Sequence, residues 1–143
     1  MYADTSFLAS LYVLDGSSAL AAARMKRAKL PLLITPFGEL ELTNAVALRL
    51  FRKELSASQV KAAHALIRKD LEDGILMVNA LPASAFERAK QMARRQTPRL
   101  GTRTLDVLHV ASALALQADT FHTFHTFDTR QAKLAAAEGL LVR

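Results

Sequence analysis

The sequence contains no cysteine, which excludes disulfides, thiolate metal sites and cysteine nucleophiles together and fits a reducing compartment. Any metal must therefore sit on oxygen or imidazole ligands. The chain also lacks the run of about 18 apolar residues that a membrane span requires. Asp4 stands where a secretion signal would carry basic residues, so the expectation is a soluble, cytoplasmic protein. Acidic residues are the scarcer charge, 13 against 19 Lys and Arg for a net charge of +6, which makes a polyanion a plausible partner without establishing one. Repeats and low-complexity segments are missing, apart from a tandem Phe-His-Thr at residues 121–126. What is present is an ordinary globular balance, 51% hydrophobic and 22% charged, in 143 residues. That length suits a single domain over 1–143.

Short apolar runs at 32–34, 75–78, 120–127 and 140–142, with a stub at 1–3, read as strands. Between them, residues 17–28, 37–55, 57–73, 83–95, 105–116 and 129–138 carry helical periodicity. Pro36 suits a first helical turn, Ser56 and Thr104 suit N-caps, Thr129 precedes the last helix, and Gly74 and Gly139 suit helix stops. Alternating strands and helices require crossovers, which predicts a three-layer α/β/α sandwich with a mainly parallel sheet of about five strands. In such sheets ligands gather outside the carboxyl ends of the strands, where the order reverses.

Four acids fall at that edge rather than on solvated helix faces: Asp4 after the first stub, Glu41 in the first turns of the helix begun by Pro36, Asp106 two residues after Thr104, and Asp128 closing the fourth strand. Taken singly, each suits a cap or a helix-dipole partner. Together, convergent carboxylates without cysteine suit a hard divalent cation such as Mg²⁺, which lets like charges stay ionised side by side. Phosphodiester hydrolysis is the natural reaction of such a site. Glu39 faces away from Glu41 on a helix, and Asp15 and Asp119 read as turn residues.

The motifs Asp4-Thr5-Ser6, Glu41-Leu42-Thr43-Asn44-Ala45, Thr104 to Ala113 and Thr126-Phe127-Asp128-Thr129-Arg130 occur in this order over nearly the whole chain. In these the sequence resembles the PIN domain, specifically the VapC-type ribonuclease toxins of toxin–antitoxin pairs. The resemblance implies a sheet ordered 3-2-1-4-5. It also implies Asp4 and Asp106 as direct ligands of Mg²⁺ or Mn²⁺, Glu41 as a third acid and Asp128 as a fourth, often acting through water. Ser6 and Thr126 match hydroxyl positions lining the family's site. An RNA substrate, a cognate antitoxin and a homodimer are implied in the same way.

The doubled Phe-His-Thr lengthens the fourth strand, and an odd insertion reverses every later side chain unless a bulge or loop absorbs it, so Asp128 depends on that detail. His109 is either a ligand or acid–base group, or a packed histidine beside the site, and its apolar neighbours favour the second. His122 and His125 read as strand packing. Arg94, Arg95, Arg99 and Arg103 read as a basic loop, and Arg24, Lys26, Arg27 and Lys29 as a basic cluster. Either is a solvated face, or a phosphate contact if it borders the carboxylate edge. Two other functions compete. A PIN-like scaffold could bind RNA or a partner without cutting. A phosphoacceptor signalling domain shares the strand count, but requires an acidic pair after its first strand and a lysine after its last, where this chain has one Asp4 and Arg143.

Overall fold

Each strand is too short to hold a core alone, and the helices between them supply the rest. A computed structural model describes residues 1–28, 31–116 and 123–143. Its elements run β1 (Tyr2–Ala3), α1 (Thr5–Tyr12), α2 (Ser18–Met25), β2 (Leu32–Ile34), α3 (Pro36–Phe51), α4 (Ala57–Glu72), β3 (Leu76–Val78), α5 (Ala83–Leu100), α6 (Thr104–Leu116), β4 (Thr123–His125), α7 (Thr129–Ala137) and β5 (Leu141–Val142). The sheet is parallel throughout and ordered β3-β2-β1-β4-β5, so the order reverses at β1. β1 pairs with β4 in the register Tyr2 to Phe124 and Ala3 to His125.

Side-chain alternation sends neighbouring strand residues to two separate cores. Ala3, Leu32 and Ile34 pack with Phe7 and Leu8 of α1, Leu42 and Val46 of α3, and Val60 and Ile67 of α4. Tyr2 and Phe124 turn to the opposite face, with Met92 of α5, Val107 and Val110 of α6 and Leu134 of α7. Cap chemistry explains several boundaries. Thr35 accepts from the Gly38 amide ahead of Pro36, and Ser56 forms a reciprocal capping box with Gln59. Gly74 and Gly139 take positive φ (71° and 84°) where α4 and α7 end.

Several expectations need correction. Residues 5–12 form α1, which periodicity did not reveal because the segment is nearly all apolar or hydroxylic and offers no charged face. The supposed basic loop is mostly helix: α5 continues to Leu100 through Pro98 and closes on Gly101 at φ 63°. Pro98 forfeits only one hydrogen bond near the helix end, and burial of Met92 and Gln96 holds the remainder. Arg94, Arg95 and Arg99 therefore lie on α5, and Arg103 alone lies in the turn before α6. Thr104 and Thr129 are first residues of their helices, and Asp128 caps α7. Phe121 and His122 of the tandem repeat, with Asp119 and Lys29, lie outside the described residues.

Candidate functional site

The register that pairs Ala3 with His125 brings the next residues of the two strands, Asp4 and Thr126, together beyond the sheet edge. Asp4 leaves β1 and caps α1, its Oδ1 accepting from the Phe7 amide at 2.9 Å. The Thr126 hydroxyl donates to Asp4 Oδ2 at 2.6 Å, and Ser6 Oγ donates to Oδ1 at 2.8 Å. Ser6 Oγ also accepts from the amides of Phe127 and Asp128, while Thr126 Oγ1 accepts from that of Asp128. These two hydroxyls fasten the β4–α7 turn to Asp4. Asp4 is fully buried, and burial raises its pKa despite the opposing hydrogen bonds from Thr126, Phe7 and Ser6 and the nearby His109.

Glu41 lies on α3, where Thr5 donates to Oε2 at 2.9 Å and His109 Nε2 lies 2.6 Å from the same oxygen. An ionised carboxylate only accepts, so His109 carries its proton on Nε2 and its Nδ1 accepts from the Tyr2 hydroxyl at 2.8 Å. Burial would raise the Glu41 pKa, but the hydrogen bond and electrostatic influence of His109, with the Thr5 bond, outweigh it and leave the pKa lowered. Burial raises the Tyr2 pKa, which keeps the phenol a donor. His109 is itself buried, 4.8 Å from the Phe37 ring by centroid and tilted against it. Its ring is packed in the interior and bonds Glu41 on one side and Tyr2 on the other. A Cβ at Gly38 would lie 3.3 Å from Thr35 Oγ1 and crowd the hydroxyl that caps α3, while meeting His109 Cε1 only at an ordinary contact distance of 3.7 Å. Tyr2, Thr5 and Gly38 escaped the sequence reading, since nothing local marks a phenol or a hydroxyl that acts across 107 or 36 positions.

Asp106 is in the first turn of α6 and accepts from the Arg103 amide at 2.8 Å. Asp128 accepts from the amides of Arg130 and Gln131 at 2.7 and 3.2 Å. Both acids thus perform the capping roles that each suited singly. They also share a groove of about 520 Å³ with Ser6, Glu41, Arg103 and Arg130, so the turn after β4 delivers Asp128 to the expected edge. Asp4 lies buried behind Ser6 rather than on the groove wall. The donor set is all oxygen and therefore suits a hard cation. Among the described residues, however, no three acids or histidines are close enough to hold one ion. Arg130 stands between Asp106 and Asp128, 3.9 and 3.6 Å from their carboxylates, and occupies ground a cation would need. It is a site residue by position, and the Asp128-Thr129-Arg130 spacing that carries it was visible in the sequence.

The remaining candidates scatter. Arg95 pairs with Glu138 of the α7 end at 2.7 Å, and Arg94 lines a separate apolar groove between α5 and α6. Arg103 alone of that group borders the acids. Arg24 packs against the β4–α7 turn: its guanidinium lies 4.7 Å from the centre of the Phe127 ring and donates to the Thr126 carbonyl at 3.4 Å. His125 packs on Phe7, as expected of strand packing. Burial, then the charges of Arg24, the amino terminus and Arg143, push its pKa down to about 4. Among the described residues no helix is long and apolar enough to cross a membrane.

No curated protein matches this chain significantly. A solved structure with the same fold is that of VapC20 from Mycobacterium tuberculosis, described as a sarcin-ricin loop cleaving toxin. It is 21% identical, with a TM-score of 0.66 over 98% of this chain and 95% of the other. The sheet order, the acids at its reversal point and a match to the PIN domain over residues 1–137 agree: the chain belongs to the PIN-domain family.

Proposed function

We propose that this protein is a metal-dependent endoribonuclease of the VapC type, hydrolysing RNA phosphodiesters to a 3′-hydroxyl and a 5′-phosphate as the toxin of a toxin–antitoxin pair. The observation that carries the reading is the shared groove of Glu41, Asp106 and Asp128, with Asp4 behind Ser6, at the carboxyl edge where the sheet order reverses. Asp4, Glu41, Asp106 and Asp128 would hold Mg²⁺ or Mn²⁺. When bound, such a cation polarises phosphoryl oxygens and offsets the repulsion among the acids. Ser6 and Thr126 orient Asp4, while Thr5 and His109 keep Glu41 ionised, which suits a ligand better than a proton acceptor. Arg130 and Arg103 are placed to meet the phosphate once Arg130 leaves the acids.

VapC20, a structural relative, is described as cleaving the sarcin-ricin loop, which supports structured RNA as the substrate class. A cognate antitoxin covering the acidic edge and a homodimer belong to the same proposal. The non-cutting scaffold is favoured by one observation, the intrusion of Arg130 between two acids. Cleavage of labelled RNA with Mg²⁺ or Mn²⁺ and in EDTA decides between them. Metal-dependent cutting that Asp106→Asn abolishes is expected, and RNA binding without cutting in any metal would favour the scaffold.

A further inference from the structure

A second cleft of about 500 Å³ opens between α2 and the β4–β5 side of the sheet, in the size range of small-ligand sites. Its walls carry Arg24, Arg27 and Arg143 and, among the described residues, no acid. None of the three arginines has an ion-pair partner among the described residues, whereas Arg49, Arg95 and Arg130 elsewhere all have one. Unpaired like charges around one concavity raise the local concentration of anions.

The cleft also has a buried polar group with nothing to bond. His125 lines it at 4% exposure, and neither ring nitrogen has a hydrogen-bond partner among the described residues. Native proteins rarely leave a buried imidazole without a hydrogen-bond partner. Strand packing against Phe7 explains why a ring is there but not why it is a histidine. An anion seated among the arginines would offer the acceptor that the described fold does not supply.

Its location adds a second constraint. Arg24, on the cleft wall, donates to the Thr126 carbonyl, and the Thr126 side chain bonds Asp4. The cleft is therefore linked to the acidic groove through Thr126, Asp4 and Ser6, on the same side of the β4–α7 turn as Arg24 and Phe127. We propose that this cleft is a phosphate site for a nucleotide, with Arg24, Arg27 and Arg143 around the phosphate and His125 beneath it. The shared chemistry is a nucleoside phosphate, either free or within a strand. Its assignment to an RNA strand rests on the nuclease reading above, whereas the anion site itself does not.

Binding is measured in EDTA, so that cutting plays no part, with 5′-AMP and with fluorescein-labelled hexauridylate as probes. Arg27 and Arg143 are exposed, so the double variant Arg27→Ala/Arg143→Ala tests the cleft without threatening the fold. Arg68→Ala, which removes an exposed charge from α4, is the control. The double variant is expected to bind hexauridylate at least about tenfold more weakly, as loss of two charge-assisted contacts implies. Its log–log salt slope should fall by about 0.7 per lost contact. Arg68→Ala should stay within about twofold of wild type. If 5′-AMP follows the same pattern, the site takes a free nucleotide; if only hexauridylate does, it takes part of a strand. His125→Phe, once shown folded by circular dichroism, should weaken whichever probe binds. Equal binding by wild type and the double variant, or equal losses in the double variant and Arg68→Ala, overturns the proposal. A protein that binds through these arginines yet never cuts RNA keeps the cleft and refutes the nuclease. One that cuts normally without them and binds both probes as wild type does keeps the nuclease and refutes the cleft.

Discussion

Glu41 and Asp4 should respond to neutralisation in opposite directions, although both serve one acidic edge. In Glu41→Gln the amide still accepts from His109 and faces Thr5, so what is lost is the difference between a charged and a neutral acceptor at 2.6 Å. Hydrogen bonds to charged groups contribute about 1.5–3 kcal/mol against about 0.5–1.5 for neutral ones, and relief of carboxylate burial returns part of the difference. The net loss is about 1 kcal/mol at pH 7, or roughly 3–5 °C in Tm for a chain of this size. The pH dependence follows from the lowered Glu41 pKa. The folded state releases this proton more readily than the unfolded chain, so the stabilisation is complete above the ordinary value of 4.5 and is lost as pH falls through the folded value. Burial raises the Asp4 pKa from its ordinary 3.8, so Asp4 stabilises the fold only in acid and that contribution is lost as pH rises through its folded pKa. Asp4→Asn should therefore match or exceed wild type at pH 7, with Ser6 and Thr126 turning their hydroxyls to suit, and lose that advantage in acid. Urea unfolding followed by circular dichroism in EDTA, from pH 3 to pH 7, checks both. If Glu41→Gln matches wild type at pH 7, or its deficit does not close in acid, the His109–Glu41 account is wrong.

Asp106→Asn keeps an oxygen for the Arg103 amide, so its Tm in EDTA should change little while metal-dependent RNA cleavage drops at least about a hundredfold. Any rise in Tm on adding Mn²⁺ to wild type should be largely lost in the same variant. Arg95→Ala should leave RNA binding unchanged, because this side chain holds Glu138, and should cost at most about 1 kcal/mol, less in high salt; a large loss of RNA affinity would return α5 to the substrate path. Ser56→Ala removes the capping box of α4, far from the acids, and should cost about 1 kcal/mol with cleavage unchanged once the protein is folded.

The sequence was most legible where chemistry and chain position coincide. Leu32–Ile34 emerged as a strand with its observed bounds, and Ser56 and Pro36 marked helix starts, because caps act over three or four residues. The four acids were recognisable from their motifs, and the groove collects three of them. What escaped depends on tertiary packing. The eight residues of α1 hide their period because solvent touches so little of them, and α5 runs through Pro98 because its buried face outweighs one missing bond. The partners of the acids were hidden too, since Tyr2 and Arg130 acquire their roles only when β1, α6 and α7 converge.

The two cores divide the four acids between them. Asp4 and Glu41 are anchored beside the core built from residues 3–76, and Asp106 and Asp128 beside the one built mainly from residues 92–140. Neither core alone carries more than half of the acids, and His109 reaches Glu41 only after the two halves have docked. The acidic groove is thus a property of the docked halves and of neither half alone: a chain in which one half is unravelled keeps at most two of the four acids in place.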